Sequence, residues 1–366
     1  MASSSSSSTA PPPAAPVVAD AKSIAAAMTT GAKDFDDAGS VPLVKDFHRE
    51  QILLAMCKAE ILQMKELLKD DDEKGLSTSS TAALDKHVKQ LALACVRTRK
   101  YDDARIPKLM REFTDLLQEM KQWKKEDVIA SISKNRVKEG FRLLPRRDKH
   151  GRAVMNTRLR YHEPREVSTQ TTIRALTLML YNALLGAPFD EDKREAEAEK
   201  TQLNGVCVFH DFRNLTLSNV DPGVGRGLIK LFSGRFPLRL GAVYMLEPPF
   251  FIRYIVLPMM RLLLPKKLSS RITTVSKLAD LKQYFDEAEL PTEYGGGCED
   301  MDVDKMWKGF TDVYHPGYIY TPSPRNTNDA VAGAGSLPDS AAAPAKVQKG
   351  VSDYYKKGVA VDGTRV

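Results

Sequence analysis

One stretch of the 366-residue chain limits its possible folds more than any other: residues 247–267 read EPPFFIRYIVLPMMRLLLPKK. A membrane-spanning helix needs about 20 consecutive apolar residues. The apolar run from Phe250 to Leu264 has 15 residues, contains Arg253 and Arg261, and is interrupted by Pro258. It is too short and too charged to span a bilayer. A helix that is apolar on almost every side must instead be covered by protein or by a bound apolar molecule.

Basic residues surround this stretch. Between residues 235 and 271 seven basic side chains accompany one acid, Glu247, a local charge of +6 in a chain whose formal net charge is +7. Cations beside an apolar helix are typical of a membrane interface, at about 1 kcal/mol per cation near anionic lipid. The structural alternative is that basic residues bind the free carbonyl groups at helix ends. The seven are Arg235, Arg239, Arg253, Arg261, Lys266, Lys267 and Arg271.

The composition is that of a globular protein, with 42% hydrophobic and 28% charged residues. The four cysteines lie far apart without a C-x-x-C pair, and the six histidines include no H-E-x-x-H motif. We therefore expect no metal site and four reduced thiols, as in a cytoplasmic protein. The N-terminus has neither the basic start nor the long apolar core of a secretory signal.

Periodicity divides the chain into regions. Apolar residues recur at spacings of three and four from Ile106 to Trp123, which predicts a helix, and looser helical patterns cover 47–69 and a segment beginning at Thr81. We predict a disordered tail at 1–40, a helical module at 41–135, an α/β domain at 136–297, a packed extension at 298–320 and a low-complexity tail at 321–366.

Strand-like and helix-like segments alternate in the α/β domain, which favours a largely parallel sheet. The predicted strands are 153–157, 205–212, 242–247 and 271–275, and the predicted helices are 169–185 and LADLKQYF at 278–285. The acidic run at 190–200 is interpreted as a solvated helix end or a loop, and PGVGRG at 222–227 as a glycine-rich surface loop.

Four motifs resemble one family. They are LALACVRTRKYDDARI (91–106), RLLPRRDKHGRAVMNTRLRYHEP (142–164), GRFPLRLGAVYMLEPPFF (234–251) and LPTEYGGG (290–297). In the second, Asp148, Gly151 and Arg152 match a D-x-x-G-R turn. Together, in this order and spacing, they resemble the CRAL-TRIO lipid-binding domain family, which includes phosphatidylinositol-transfer and tocopherol-transfer proteins.

The resemblance implies an α/β cage in which a mixed, largely parallel sheet floors an apolar cavity and a mobile gate helix closes it, preceded by a small all-α domain. The gate falls at Pro249–Leu264. Expected lipid contacts are Phe250, Phe251, Tyr254, Ile255, Leu257 and Met259 in the gate and Val206, Val208, Val243 and Met245 on the floor. Arg239, Lys266, Lys267 and Arg271 are expected to meet headgroup or membrane phosphate.

Departures from the family leave the ligand open between a phospholipid and a compact hydrophobe. Leu238 stands where phosphatidylinositol-transfer relatives have Glu, and Leu268 stands at their headgroup Thr. Gly241 replaces one of two basic residues of tocopherol-transfer relatives, and Glu247 replaces a family Asn. Of the headgroup residues only Arg239 and Arg271 keep a matching charge.

We therefore expect a soluble, monomeric lipid-binding and transfer protein, cytoplasmic with peripheral contact to anionic membranes, without catalytic residues or a cofactor other than bound lipid. The alternative is an adaptor that binds a protein partner through its N-terminal helices or tail. A nucleotide-dependent enzyme is disfavoured because PGVGRG matches neither G-x-G-x-x-G nor the P-loop. Nucleic acid is not an expected partner, because the basic residues accompany an apolar helix.

Overall fold

The computed structural model describes residues 43–69, 78–123, 137–187, 191–263, 266–298 and 303–312. The chain divides after Thr321, and all described residues lie in the first of the two units. The predictions for the two terminal tails therefore fall outside the described residues. Within the described ranges no helix combines the length and the hydropathy needed to cross a bilayer.

Four helices lie in the described residues of the N-terminal part: α1 (Phe47–Met56), α2 (Lys58–Leu68), α3 (Thr78–Thr98) and α4 (Ile106–Lys121). Asp46 caps α1 by accepting a hydrogen bond from the backbone N of Arg49, 3.0 Å away. The helix expected over 47–69 is broken at Cys57, whose φ of −94° and ψ of 25° leave the helical region. The apolar stripe of α4 is buried as its spacing predicts.

The centre of the fold is a five-stranded sheet in the order β1-β2-β3-β4-β5. Its strands are β1 (Phe141–Arg147), β2 (Ala153–Arg158), β3 (Val206–Asp211), β4 (Leu240–Leu246) and β5 (Ile272–Val275). β1 pairs antiparallel with β2, and all other pairs are parallel. The mixed, largely parallel sheet matches the expected fold class.

The helices of this region are α5 (Val137–Gly140), α6 (Thr169–Leu184), α7 (Glu191–Asn204), α8 (Pro222–Lys230), α9 (Leu257–Leu263), α10 (Lys266–Ser269) and α11 (Val303–Asp312). π-helical turns span Leu231–Arg235 and Ile252–Val256. From β2 to β5 the strands follow chain order in parallel, and such crossovers are almost always right-handed. The connecting segments therefore lie on one side of the sheet.

Side-chain alternation gives the sheet two faces. Val206 and Val208 of β3 pack in the large cluster that contains the crossover helices, on what we name the gate face. Cys207 and Phe209 pack in a separate cluster on the opposite side, the back face. The back face is covered by the chain after β5, whose 3₁₀ turns are Leu278–Gln283, Glu287–Glu289 and Thr292–Tyr294.

A buried ionic network ties this cover to the carboxyl ends of the strands. The fully buried Asp211 accepts hydrogen bonds from Arg160 at 2.7 Å and from Arg213 at 2.9 Å. It also accepts one from the Tyr294 hydroxyl at 3.3 Å. Burial alone would raise the pKa of Asp211, but hydrogen bonds from Arg213 and Arg160 outweigh it and lower that pKa. The carboxylate therefore stays ionised inside the fold.

Another buried ion pair joins the N-terminal helices to the domain. Arg97, at the end of α3, donates from Nε to Glu50 of α1 over 2.7 Å and from Nη1 to Gln202 of α7 over 2.7 Å. All three side chains are buried. Three elements far apart in sequence are thus fixed to one another by one guanidinium.

Several sequence interpretations are wrong. The acidic run is a full helix, α7, because one of its faces, including Ala198 and Thr201, is buried. The predicted helix LADLKQYF is a 3₁₀ turn, and PGVGRG is the start of α8 rather than a loop. β1 was not predicted, because its sequence FRLLPRR contains proline and three arginines. As an edge strand it tolerates proline, and its register is irregular between Leu143 and Arg147.

Candidate functional site

The apolar stretch forms the connection between two neighbouring parallel strands, β4 and β5. It leaves the carboxyl end of β4 at Leu246 and reaches the amino end of β5 at Ile272, so it must run back along the strands. Glu247 makes the first turn with a φ of 45°, a left-handed conformation that Asn tolerates better than Glu. Residues 249–269, named the gate segment here, therefore lie lengthwise along the gate face.

The gate segment has an inner and an outer side. Ile252 and Leu257 are buried in the gate-face cluster, and Phe251 and Val256 pack partly buried against it. The other large apolar side chains point to solvent, with exposed fractions of 72% for Phe250, 58% for Tyr254, 49% for Ile255 and 87% for Leu262. The predicted gate residues thus divide between both sides. Met259 lies in α9, and its side chain falls outside what the structure describes.

Pro258 lies within a continuous helical stretch that begins at Phe250. It is the second residue of α9, and its missing N–H leaves one hydrogen bond of the helical ladder unmade. The preceding turn, Ile252–Val256, is π-helical, a conformation found mostly as single turns and often at functional sites. The proline predicted to interrupt the segment is therefore accommodated beside a wide π-helical turn and does not end the helix.

The two arginines inside the apolar run attach the gate segment to β5. Arg253 donates from Nη2 to Oγ of Ser276, just after β5, over 3.1 Å. Arg261 donates from Nη2 to the backbone oxygen of Ile272, the first residue of β5, over 3.3 Å. Each is a single hydrogen bond near the surface. The charges that exclude a transmembrane helix thus act as two weak anchors along one edge of the gate segment.

The four predicted floor residues share the gate face. Val206, Val208 and Met245 are buried in its cluster, and Val243 packs against that cluster while staying partly accessible. Val243 is the only residue of β4 that keeps appreciable accessible surface. The alternation that could not be fixed from sequence is therefore settled by the structure, and contact of these residues with a lipid stays a prediction.

Three buried arginines meet around one small cavity at the amino ends of β4 and β5. Arg99 follows α3, Arg239 precedes β4 and Arg271 precedes β5. The cavity has a volume of about 20 Å³, enough for one water-sized group. The remaining lining residues are Thr98, Phe232, Gly234, Phe236, Leu238 and Leu240. None of these nine is an acid, so the lining favours a negatively charged group.

Backbone carbonyls hold two of these arginines in place. Arg271 donates from Nη1 to the oxygen of Leu240 over 2.9 Å, and Arg239 donates from Nη2 to the oxygen of Leu203. The Thr98 hydroxyl is buried at the same cavity and has no hydrogen-bond partner within the described ranges. Arg239 and Arg271 are therefore interior groups, not part of an exposed basic rim.

The other two predicted phosphate contacts lie elsewhere. Lys266 is exposed at the start of α10. Lys267 follows it in the helix, and its side chain falls outside what the structure describes. Sequence reasoning missed Arg99, although it lies in the motif RTRKYD within the upstream resemblance. That motif was the available signal, because its arginine faces the domain that follows.

The glycines of PGVGRG serve helix packing. A Cβ on Gly223 would lie 2.6 Å from Thr169, and one on Gly227 would lie 2.2 Å from Ile173, both in α6. Asp221 caps the helix and accepts from the backbone N of Gly223 over 2.7 Å. A carboxylate at this N-terminus opposes a phosphate there. The motif therefore lets α8 approach α6 closely and gives no support to a nucleotide site.

Neither metal nor disulfide chemistry is visible in the described part of the chain. It holds no group of three or more potential metal ligands among His, Cys, Asp and Glu. The four cysteines are unpaired, and burial raises the pKa of Cys57 and of Cys95. Raised pKa values make these two thiols poor nucleophiles.

The comparisons with known proteins agree with this geometry. The family model of the CRAL/TRIO domain matches residues 138–296. Alpha-tocopherol transfer protein-like of Homo sapiens is 26% identical over 223 residues, covering 58% of this chain and 59% of that protein. Tyrosine-protein phosphatase non-receptor type 9 of Mus musculus is 26% identical over 156 residues, covering 43% and 24%.

Among solved structures, the crystal structure of Sfh5 aligns with a TM-score of 0.41 and 15% identity, covering 72% of this chain and 92% of that one. The chain spans about three fifths of the length of the tocopherol transfer protein-like relatives it matches. Residues 138–296, which contain the sheet and the gate segment, are thus identified as a CRAL-TRIO domain.

Proposed function

We propose that this protein carries one lipid beneath the gate segment and exchanges it at membrane surfaces. The carrying observation is that an apolar segment with both a buried and an exposed side covers a strand whose central residue, Val243, stays partly accessible. The middle of a packed core is normally sealed. Accessible apolar surface at that depth suits a hydrocarbon guest. The similarity to proteins named for tocopherol transfer supports the same reading.

The energetics explain why release needs a membrane. Exposing an 18-carbon chain to water costs on the order of 14 kcal/mol, at about 0.8 kcal/mol per methylene. Opening the gate segment in water would add about 1.5–3 kcal/mol for each large inner side chain exposed. Against a bilayer most of that cost disappears. Contact of Phe250, Tyr254 and Leu262 with lipid therefore favours the open state.

The arginine cavity suits an anionic group at one end of the bound lipid. A phosphate oxygen placed among Arg99, Arg239 and Arg271 would receive charge-assisted hydrogen bonds, and the Thr98 hydroxyl could add another. This arrangement favours a phospholipid over an uncharged compact hydrophobe. It also offsets the departures at Leu238 and Leu268, because Arg99 contributes a third cation that the sequence comparison did not count.

The proposed setting is the cytoplasmic surface of anionic membranes, which the protein touches peripherally as a monomer. Lys266, exposed within the gate segment, is positioned to meet lipid headgroups. The proposed role is transport without catalysis. An adaptor that uses the same fold to bind a protein partner is the alternative that the first experiment separates from it.

The deciding experiment is solvent extraction of protein purified from its own cells, followed by mass spectrometry of the extract. We expect about one lipid per protein, rich in phosphate-bearing species. Repeated recovery of protein without lipid would favour the adaptor. In a second step Arg99→Leu should lower retention of phosphatidylinositol from loaded vesicles by about tenfold, from loss of a charged hydrogen bond. The exposed Arg165→Leu is the matched control.

A further inference from the structure

A row of side chains crosses the gate face near the carboxyl ends of the strands. Backbone register aligns Thr157 of β2 with His210 of β3, and His210 with Met245 of β4. Alternation puts His210 on the same face as Val206 and Val208. A histidine therefore stands on the predominantly apolar floor that the gate segment covers.

The surroundings of His210 are both dry and incompletely filled. Burial lowers the pKa of His210 to about 4, so the ring is neutral near pH 7. Its Nδ1 lies 2.6 Å from Oγ1 of Thr157, and its ring centroid lies 5.7 Å from that of Phe212. The residue nonetheless keeps partly accessible surface. The partial accessibility of this residue is consistent with a space beside it on the gate face.

The bond to Thr157 fixes which ring nitrogen carries the proton. Thr157 is buried, and in the described part of the chain its hydroxyl has Nδ1 of His210 as its hydrogen-bond partner. A buried hydroxyl proton needs an acceptor, and Nδ1 provides one only when it is unprotonated. The ring proton then lies on Nε2. No protein group in the described ranges pairs with Nε2.

We propose that the Nε2–H of His210 donates a hydrogen bond to an oxygen in the hydrophobic part of the cargo, so that His210 selects lipids with a carbonyl, ether or hydroxyl oxygen there. This inference rests on the proposed carrier function and narrows its ligand class. A neutral donor on an apolar floor disfavours a plain hydrocarbon chain relative to one that bears an oxygen, because hydrocarbon contact would leave the buried N–H unpaired.

The oxygen is separate from any phosphate held by the arginines. Along β4, Met245 lies five residues beyond Leu240, which lines the arginine cavity, a distance of about 16 Å. The ester groups of a glycerophospholipid lie too close to its phosphate to reach that far. The cargo therefore carries its oxygen along or at the end of its hydrophobic body.

The test uses a series of straight-chain ketones of equal length, with the carbonyl at different positions, and the alkane of the same length. Delipidated full-length protein is loaded from phosphatidylcholine vesicles containing equal amounts of each probe, reisolated and extracted. We expect at least one ketone to be retained about fivefold over the alkane. In His210→Phe the ratio should fall to about one, and His210→Gln, which keeps an N–H donor, should restore part of it.

Two further measurements keep the test decisive. The double variant Thr157→Val with His210→Phe removes both partners, so no buried hydroxyl is orphaned if the single variant folds poorly. Loading of the preferred ketone should also shift the ¹⁵N resonance of Nε2 in the unmodified protein, and His150→Phe, in an exposed turn, should match the unmodified ratio.

Each outcome separates the two proposals. Equal retention of ketones and alkane, or the same ratio in the unmodified protein and in His210→Phe, overturns the role of His210 and leaves the carrier function standing. An Nε2 resonance unchanged by loading, as for a nitrogen bonded only to water, also overturns it. Failure to retain any probe or phospholipid overturns the carrier function as well.

Discussion

The two faces of the sheet are built on the same strands and differ in what covers them. On the back face Phe209 contacts Tyr294 at a ring-centroid distance of 4.9 Å, and Tyr244 contacts Tyr284 at 4.6 Å. The back-face strand residues are buried, whereas Val243 and His210 on the gate face keep accessible surface. One face is thus a closed core, and the other is less completely covered.

The attachments of the two covers differ in the same way. The back-face cover is locked by buried ionic contacts, such as that between Arg142 and Glu293, and by the Tyr294 hydroxyl on Asp211. The gate segment is attached along its length by the single hydrogen bonds of Arg253 and Arg261. The rest of its attachment is the apolar packing of inner side chains such as Ile252 and Leu257. The back-face cover is therefore held by polar as well as apolar contacts, and the gate segment mainly by apolar packing.

The largest expected effect is on the locked cover. Replacement of Asp211 by Ala leaves Arg160 and Arg213 buried without their shared carboxylate, and should lower the free energy of unfolding by about 3–5 kcal/mol. Urea unfolding measures the change. Asp286→Ala is the control, because its contact with Lys149 is exposed and 3.9 Å long. Similar small losses of unfolding free energy in both variants would show that the Asp211 network does not hold the back-face cover in place.

The pH dependence of the free energy of unfolding should distinguish His210 on the gate face from Asp211 in the buried ionic network. The pKa of His210 is lowered to about 4 in the folded protein, so as the pH falls the unfolded chain binds the proton before the folded one does. The free energy of unfolding therefore decreases between about pH 6.5 and pH 4. The pKa of Asp211 is also lowered, so its contribution is lost only below about pH 4. His210 should account for on the order of 1–3 kcal/mol.

The measurement is the free energy of unfolding across this pH range, in the unmodified protein and in Thr157→Val with His210→Phe. The double variant should flatten the slope between pH 6.5 and 4 and keep the loss at lower pH. Part of the slope should persist in the variant, because burial also lowers the pKa of His87 to about 4. An unchanged slope would show that His210 does not contribute to the pH dependence of the free energy of unfolding.

A smaller difference is expected between two valines of central strands. Val154 of β2 is buried on the back face, and Val243 of β4 is partly accessible on the gate face. Val154→Ala should cost about 2 kcal/mol, from two lost methyl contacts and a cavity, and Val243→Ala less than about 1 kcal/mol. Thermal unfolding of the delipidated protein measures both. Equal losses would mean that the gate face is as tightly packed as the back face.

The smallest stability effect belongs to the outer side of the gate segment. Phe250→Ser should change the free energy of unfolding by less than about 0.5 kcal/mol, because the side chain is already in solvent. It should still slow transfer of a fluorescent phospholipid between vesicles severalfold, because less apolar area enters the membrane. Phe47→Ser, at an equally exposed phenylalanine of α1, is the matched control. Equal transfer rates for the two variants would show that Phe250 does not contact the membrane during transfer.

Sequence reasoning was strongest where periodicity and burial agree. The stripe of α4 was predicted from its helical spacing, and the strand at Val206–Asp211 from a short run of β-prone residues. It failed at β1, an edge strand whose proline and arginines mask the strand pattern, and at α8, whose glycines imitate a loop. In both cases tertiary contacts outweighed local propensity.

The candidate site was predicted in part. The gate segment and its floor were predicted from the family resemblance, but which gate residues face inward depends on the π-helical turn at Ile252–Val256. Arg99 and His210 act through neighbours far away in sequence, so no local pattern reveals them. Lys266 and Arg271 look alike in sequence, yet one is exposed and the other is buried beside Leu240.

The sequence by itself determined that an apolar segment with two charges had to be covered without spanning a membrane, and that strands alternate with helices around it. The tertiary structure alone decided which face of the sheet lies beneath that segment, where its arginines attach, and which cations meet at one cavity. Hydrophobic periodicity is local and is written along the chain. The meeting of Arg99, Arg239 and Arg271 depends on how α3, β4 and β5 pack, which no short segment encodes.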